Sequence, residues 1–84
     1  MEPIEIVHST PSKLIIRRGS KTATISGEAL TRLPGQPDFI IYANSLKAWQ
    51  HDINSVEILS EERDEVIKEV VRQLEIRGWK MEVE

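Results

Sequence analysis

The sequence predicts an α+β fold, in which a mostly antiparallel sheet of about five strands packs on one long helix in the C-terminal half. β-rich segments separated by turn residues fill the first half of the chain. A long segment of the second half carries apolar residues at helical spacing, and the last six residues, WKMEVE, alternate in hydropathy as a strand does. At 84 residues the chain has the size of one small domain, so we expect residues 1–84 to fold as a single unit.

Four segments of the first half have the composition of strands: IEIVHS (4–9), KLIIRR (13–18), KTATISG (21–27) and DFIIYA (38–43). The fourth is too apolar and aromatic for an edge strand, so we expect it inside the sheet. The turn signal TPS separates the first two segments. LPGQP at residues 33–37 predicts a loop, because two prolines bracket a glycine.

The second and third strands predict a tight hairpin around Gly19 and Ser20. Glycine at the first of two loop positions fits a type II′ turn, which fixes the register of the pair. The cross-strand pairs on the expected core face are Ile16 with Ala23 and Leu14 with Ile25. The register of the first strand stays open, because a two- or three-residue loop at Pro11 would exchange its faces.

One amphipathic helix covers only one face of such a sheet. The opposite face would show Ile15 and either Ile40 or Tyr42. This apolar surface would be covered by loops, by a second copy of the chain or by a partner. A homodimer is therefore open as an oligomeric state. The alternative function that goes with it is a small self-associating adaptor or regulatory domain.

The segment before the long helix contains a tryptophan in otherwise polar surroundings. Ser45 can cap a short helical turn over residues 46–50, which would place Leu46 and Trp49 on one side at i, i+3 spacing. We expect both to pack on the sheet or under the long helix, with the Trp49 indole N–H bonded to a backbone carbonyl. The alternative is that Trp49 anchors an interface, where tryptophan is enriched.

The long helix is predicted over SEERDEVIKEVVRQLEIRG, residues 60–78. Ser60 is a favourable N-cap, and Gly78 is expected to end the helix in the left-handed conformation. One stripe of this helix is apolar and consists of Val66, Ile67, Val70, Val71 and Leu74. After the helix, Trp79 alternates with Met81 and Val83, so we expect Trp79 in the core.

Composition argues against several classes of function. The chain has no cysteine, no G-x-S-x-G elbow and no glycine-rich phosphate loop, and His8 and His51 lack ligand spacing, so we expect no catalytic site, metal or cofactor. No apolar run reaches the ~20 residues of a membrane span, and the first ten residues do not resemble a secretory signal. These features predict a cytoplasmic protein without enzyme activity.

Charge is distributed unevenly around a net value of −3. Residues 1–50 carry six Lys/Arg and four Asp/Glu, whereas residues 51–84 carry five and ten. An acidic half disfavours nucleic acid as the main ligand and suits a basic protein partner. Arg17, Arg18 and Lys21 do cluster at the hairpin tip, which leaves a nucleic-acid-binding module as a weaker alternative.

Most of the chain, from about residue 20 to residue 84, carries motifs of a known protein family. ATISGEAL at 23–30 is similar to its x-V-x-I-x-G-E-x-L stretch. An aromatic strand ends near Ser45, a hydrophobic-x-x-Trp turn follows at Leu46 and Trp49, and a Ser-Glu-Glu-capped helix precedes a last strand rich in glutamate. These motifs resemble immunity protein 74, a family of small α+β proteins from bacterial polymorphic toxin systems. The resemblance implies a protein that binds and blocks a cognate toxin domain, for which a basic nuclease is one fitting class.

Two sets of residues follow from these arguments. For the partner-binding surface we favour the helix acids, the acid beside them and one tyrosine: Asp52, Glu61, Glu62, Glu65, Glu69 and Tyr42. Structural roles are expected for Ser45, Leu46, Trp49, Ser60, Gly78 and Trp79. The first set is chosen mainly by charge and the second by its place in the pattern of caps and apolar positions.

Overall fold

The computed structural model describes residues 3–30 and 34–84 and confirms an α+β fold with a mostly antiparallel sheet and one C-terminal-half helix. In the described part of the chain the sheet has seven strands rather than about five. The strands are β1 (Ile4–Thr10), β2 (Lys13–Arg18), β3 (Lys21–Ala29), β4 (Phe39–Ile41), β5 (Ala48–His51), β6 (Asn54–Glu57) and β7 (Met81–Val83). The helix α1 spans Ser60–Ile76, and a short 3-10 turn spans Ala43–Ser45.

The sheet runs in the order β1-β2-β3-β4-β7, with a branch at β3. All pairs are antiparallel except β4 with β7, which is parallel. On the branch, β5 pairs with β3 through Thr22 and Gln50, and among the described strands β6 pairs with β5 alone. The fourth predicted strand therefore lies inside the sheet, as expected. The predicted loop at 33–37 is described from Pro34 onward, and its first residue, Leu33, lies outside the described residues.

The β2–β3 hairpin has the predicted register, with Ile16 opposite Ala23 and Leu14 opposite Ile25. Gly19 has a φ of 62°, which is the left-handed value that the predicted turn requires at its first loop position. The open register of β1 is settled by a two-residue loop at Pro11 and by a β-bulge between Ile6 and His8. The bulge adds one residue to β1, so its faces change partway along the strand.

The predicted helical turn at 46–50 is wrong, because Ala48–His51 is extended and forms β5. The segment is too short to recover the cost of a helical nucleus, and its backbone instead pairs with β6 over four residues. The short helical element lies just upstream, over Ala43–Ser45. Leu46 and Trp49 are both buried, as the packing interpretation of this segment expected.

The helix α1 buries the predicted stripe, with Val66, Ile67, Val70 and Leu74 in the core and Val71 partly buried against it. The predicted N-cap is wrong by one residue. Leu59 is the extended N-cap, and its apolar side chain makes no capping bond. Ser60 is already the first residue of α1. The predicted end is confirmed, since Gly78 has a φ of 92° and the amides of Gly78 and Trp79 bond back to the last turn of the helix.

The alternation of WKMEVE predicted that Trp79 lies in the core, and this prediction is wrong. The Trp79 side chain is 41% exposed and meets the Phe39 ring edge to face, with the ring centroids 6.4 Å apart. The cause is the late start of β7, which begins at Met81, so Trp79 still belongs to the connection that follows Gly78. On the sheet face that was expected to stay uncovered, Ile15, Ile40 and Tyr42 are each half-buried.

Candidate protein interaction surface

Trp49 is the centre of a buried contact between three elements. Its side chain is 1% exposed, and its indole N–H donates to Glu62 Oε2 at 3.2 Å rather than to the predicted backbone carbonyl. The Arg18 guanidinium carbon lies 5.7 Å from the centroid of the indole ring, within cation–π range. Arg18 Nη1 also donates to Glu62 Oε2, at 3.4 Å. Trp49 therefore packs inside the protein, and a partner would reach it only after β5 or α1 moved.

The same contacts give Glu62 and Arg18 internal partners. Glu62 belongs to the predicted partner-binding set, but its carboxylate already accepts bonds from β2 and β5. Arg18 and Arg17 belong to the basic hairpin tip, and Arg17 is paired with Glu5 at 2.7 Å. With two of its three cations paired inside the molecule, the tip offers less positive charge to phosphate than its sequence suggests.

Ser45 joins the 3-10 turn to β3. Its hydroxyl donates to the Tyr42 carbonyl oxygen at 2.6 Å and accepts from the backbone N–H of Ser26 at 2.8 Å. The Tyr42 hydroxyl donates to Glu28 Oε2 at 3.1 Å, and this bond to a carboxylate raises the pKa of Tyr42. Tyr42, which was predicted to bind a partner, is thus half-buried and bonded within the molecule.

We expect Ser45→Ala to lower the free energy of unfolding by about 1–3 kcal/mol, because the substitution leaves the Ser26 amide and the Tyr42 carbonyl without this partner. The change in melting temperature on thermal unfolding, followed by circular dichroism, measures the effect. Asn44→Ala is the matched control, since Asn44 is exposed in the same turn. Equal melting temperatures for both variants would show that the hydroxyl adds nothing to stability.

Glu69 is held by two neighbours on the helix and is linked through one of them to the sheet. Arg72 donates to both carboxylate oxygens, at 2.8 and 2.6 Å, and Gln73 Nε2 donates to Oε2 at 2.8 Å. Gln73 Nε2 also donates to the Ile4 carbonyl oxygen of β1 at 2.7 Å. The hydrogen bonds from Arg72, followed by that from Gln73, lower the pKa of Glu69 from 4.5 to about 2.

A depressed pKa predicts a specific pH dependence for Glu69. A carboxylate that is more acidic in the folded state stabilises the protein above its unfolded pKa, and this contribution is lost as pH falls through the folded pKa. We therefore expect Glu69→Gln to lower the melting temperature at pH 7. The difference in melting temperature from the wild type should shrink as the pH falls from 4.5 to about 2. Glu65→Gln is the control, because Glu65 makes no ion pair with the described residues. A melting-temperature difference that stays constant across this range would contradict the assignment.

Three of the predicted acids remain exposed and without side-chain partners among residues 3–30 and 34–84, namely Asp52, Glu61 and Glu65. Glu61 and Glu65 lie one turn apart on the outer face of α1. Asp52 lies at the tip of the β5–β6 hairpin, with a left-handed φ of 56° that is uncommon outside glycine. The structure thus places these carboxylates on two neighbouring elements, with the length of β6 between them.

Sequence reasoning missed the apolar residues of the segment between Asp52 and α1. Ile53 is 99% exposed beside Asp52 at the hairpin tip, and Val56 and Leu59 are exposed farther along the same segment. Leu59 also lines a shallow groove with Glu57 and Glu61 at the start of α1. The signal that was available is the i, i+2 spacing of Val56 and Ile58, which is typical of a strand.

The described residues carry their histidine and acidic side chains at separate places. They contain no group of three His, Cys, Asp or Glu side chains placed to hold a metal ion, and His8 and His51 are exposed on different strands. An apolar cavity of about 270 Å³ lies between Leu14, Phe39, Leu74 and Trp79. The polar residues among the described residues that line it are Ser9, Thr10 and Arg77.

Across the part of the chain that the structure describes, no helix is both long enough and apolar enough to cross a bilayer.

One of the comparisons with known proteins finds a match. A family model described as immunity protein 74 matches residues 6–84, which is nearly the whole chain. No curated protein and no solved structure is significantly similar to this chain.

Proposed function

The chain belongs to the immunity protein 74 family, and on that premise we propose that it binds and neutralises a cognate bacterial toxin domain by stoichiometric protein–protein contact. The observation that carries the proposal is the match over residues 6–84. The family is one of immunity proteins, and such a protein acts by covering the toxin, not by chemistry of its own. The protein would act in the cytoplasm, where a toxin delivered into the cell meets its target.

The charge of the chain supports a basic partner. Residues 51–84 carry ten Asp/Glu and five Lys/Arg, and Asp52, Glu61 and Glu65 are exposed without side-chain partners among the described residues. An acidic surface accelerates encounter with a basic protein and suppresses encounter with other acidic proteins. A nuclease, whose substrate groove is basic, is the toxin class that this charge suits best.

Growth rescue in a laboratory bacterium tests the proposal. The open reading frame next to this gene is expressed from an inducible promoter, with this chain on a second plasmid and, as the control, with the same gene interrupted by an early stop codon. We expect the neighbour to stop growth in the control strain and the intact chain to restore it. A neighbour that kills both strains equally would contradict neutralisation, and a harmless neighbour would remove the proposed partner.

A further inference from the structure

The β5–β6 hairpin is attached to the rest of the protein mainly through its buried side. Trp49 and Ile58 hold it to the core, and one residue pair, Thr22 with Gln50, joins β5 to β3. All four residues of β6 are exposed, and β5 is the one described strand with which β6 pairs. The hairpin therefore exposes the whole of β6 and the turn to solvent, whereas Trp49 and Ile58 fix it to the core.

The turn of this hairpin exposes an apolar side chain that the fold does not use. Ile53 is 99% exposed, whereas burial of an isoleucine side chain typically contributes about 1.5–3 kcal/mol. Its neighbour Asp52 adopts the left-handed conformation, which a glycine would adopt at lower cost. Val56 and Leu59 add two more exposed apolar side chains before α1 begins. Nothing in the packing of the described residues requires Ile53, so its side chain is accessible to a partner.

The charges along the same segment define what would cover it. Asp52 precedes Ile53, and Glu57 and Glu61 flank Leu59 at the other end. None of the three acids has a side-chain hydrogen bond or ion pair within residues 3–30 and 34–84. An apolar centre bordered by unpaired charge is the arrangement of a protein interface, and negative borders call for Lys and Arg on the partner.

We propose that the β5–β6 hairpin is the segment that docks on the toxin, with Ile53 entering an apolar cleft whose rim carries lysine and arginine. Glu57 and Glu61 then face those cations, and Leu59, which lines the same groove, excludes water beside them. This inference rests on the proposed function and adds the surface and the chemistry of the partner. Trp49 has an indirect part, since it holds β5 in place without touching the toxin.

The test compares two exposed isoleucines. Ile53→Ser is expected to weaken binding of the purified toxin domain by about tenfold or more, as loss of a central apolar anchor does. Ile76→Ser is the matched control, because Ile76 is 71% exposed at the end of α1 and is not part of the hairpin. Both variants are expected to keep the wild-type melting temperature. Affinity is measured by isothermal titration calorimetry and protection by the growth rescue.

A charge-reversal pair tests the rim. Glu57→Lys and Glu61→Lys are expected to weaken binding, and the loss should shrink at high salt because screening weakens both attraction and repulsion. Glu75→Lys, an exposed acid near the other end of α1, is the control and is expected to bind as the wild type does.

The outcomes separate this inference from the proposed function. If the wild type protects and Ile53→Ser protects and binds equally well, the hairpin is not the docking segment, although the proposed function stands. If the wild type itself fails to protect or to bind, both are overturned. A wild-type chain that is dimeric in solution and becomes monomeric on Ile53→Ser would also overturn the inference, because the hairpin would then join two copies of the chain.

Discussion

Trp49→Ala is expected to lower the free energy of unfolding by about 3–5 kcal/mol, which is the cost of truncating a buried aromatic side chain. Trp49 is 1% exposed, and its loss would also remove the N–H that donates to Glu62 and the ring that Arg18 covers. A domain of this size has a total stability of about 4–13 kcal/mol, so the variant should lose a large share of it. Urea unfolding, followed by circular dichroism, measures the difference.

Trp79→Ala is the matched control for this experiment. Trp79 is 41% exposed, and its ring contact with Phe39 is made at the surface. Its truncation should therefore cost clearly less than that of Trp49. If Trp49→Ala kept the wild-type stability while toxin binding collapsed, Trp49 would be an interface anchor and the packing assignment would be wrong.

Gly27→Ala is expected to have the second large effect, a loss of about 3 kcal/mol or more. A Cβ at this position would lie 2.5 Å from the Ile40 carbonyl oxygen and would overlap the Phe39 ring. The ring could turn away, but the carbonyl belongs to the backbone of β4, which pairs with β3 at Gly27. The methyl group would therefore separate the two strands where the short β4 enters the sheet.

Ser26→Ala is the control, because Ser26 is an exposed neighbour whose hydrogen bonds to Ser45 and Tyr42 are made by its backbone N–H and carbonyl, which the substitution keeps. Urea unfolding of both variants gives the comparison. We expect Ser26→Ala to stay within about 0.5 kcal/mol of the wild type, as surface substitutions usually do. A Gly27→Ala variant with the stability of the wild type would show that the strands tolerate a side chain at this position.

The parts of the fold that sequence predicted are those fixed by neighbours along the chain. Gly19 at the first loop position sets the register of the β2–β3 hairpin, and Gly78 sets the end of α1. The β5–β6 hairpin was not predicted, because its turn lacks the usual glycine and β5 meets β3 at only one residue pair. The i, i+3 spacing of Leu46 and Trp49 fits a helical turn as well as it fits burial from an extended segment.

The candidate surface shows a second limit of sequence reasoning. Glu62 and Glu69 carry the same charge as Glu61 and Glu65, and all four lie in the acidic stretch of the helix. Only their partners in space distinguish them, since Trp49, Arg18, Arg72 and Gln73 engage the first two. Those partners come partly from β2 and β5, which no local pattern connects to α1. For a related reason, no local pattern placed Ile53 at the tip of a hairpin.

Titration of the purified toxin domain with this chain tests stoichiometric neutralisation most directly. In isothermal titration calorimetry, with the mass of the mixture measured by light scattering, we expect one complex of fixed composition, whose affinity falls as salt is raised. Toxicity should disappear when that composition is reached and not before. Absence of a complex would contradict the proposed function, and so would loss of toxicity at amounts of the chain far below one equivalent.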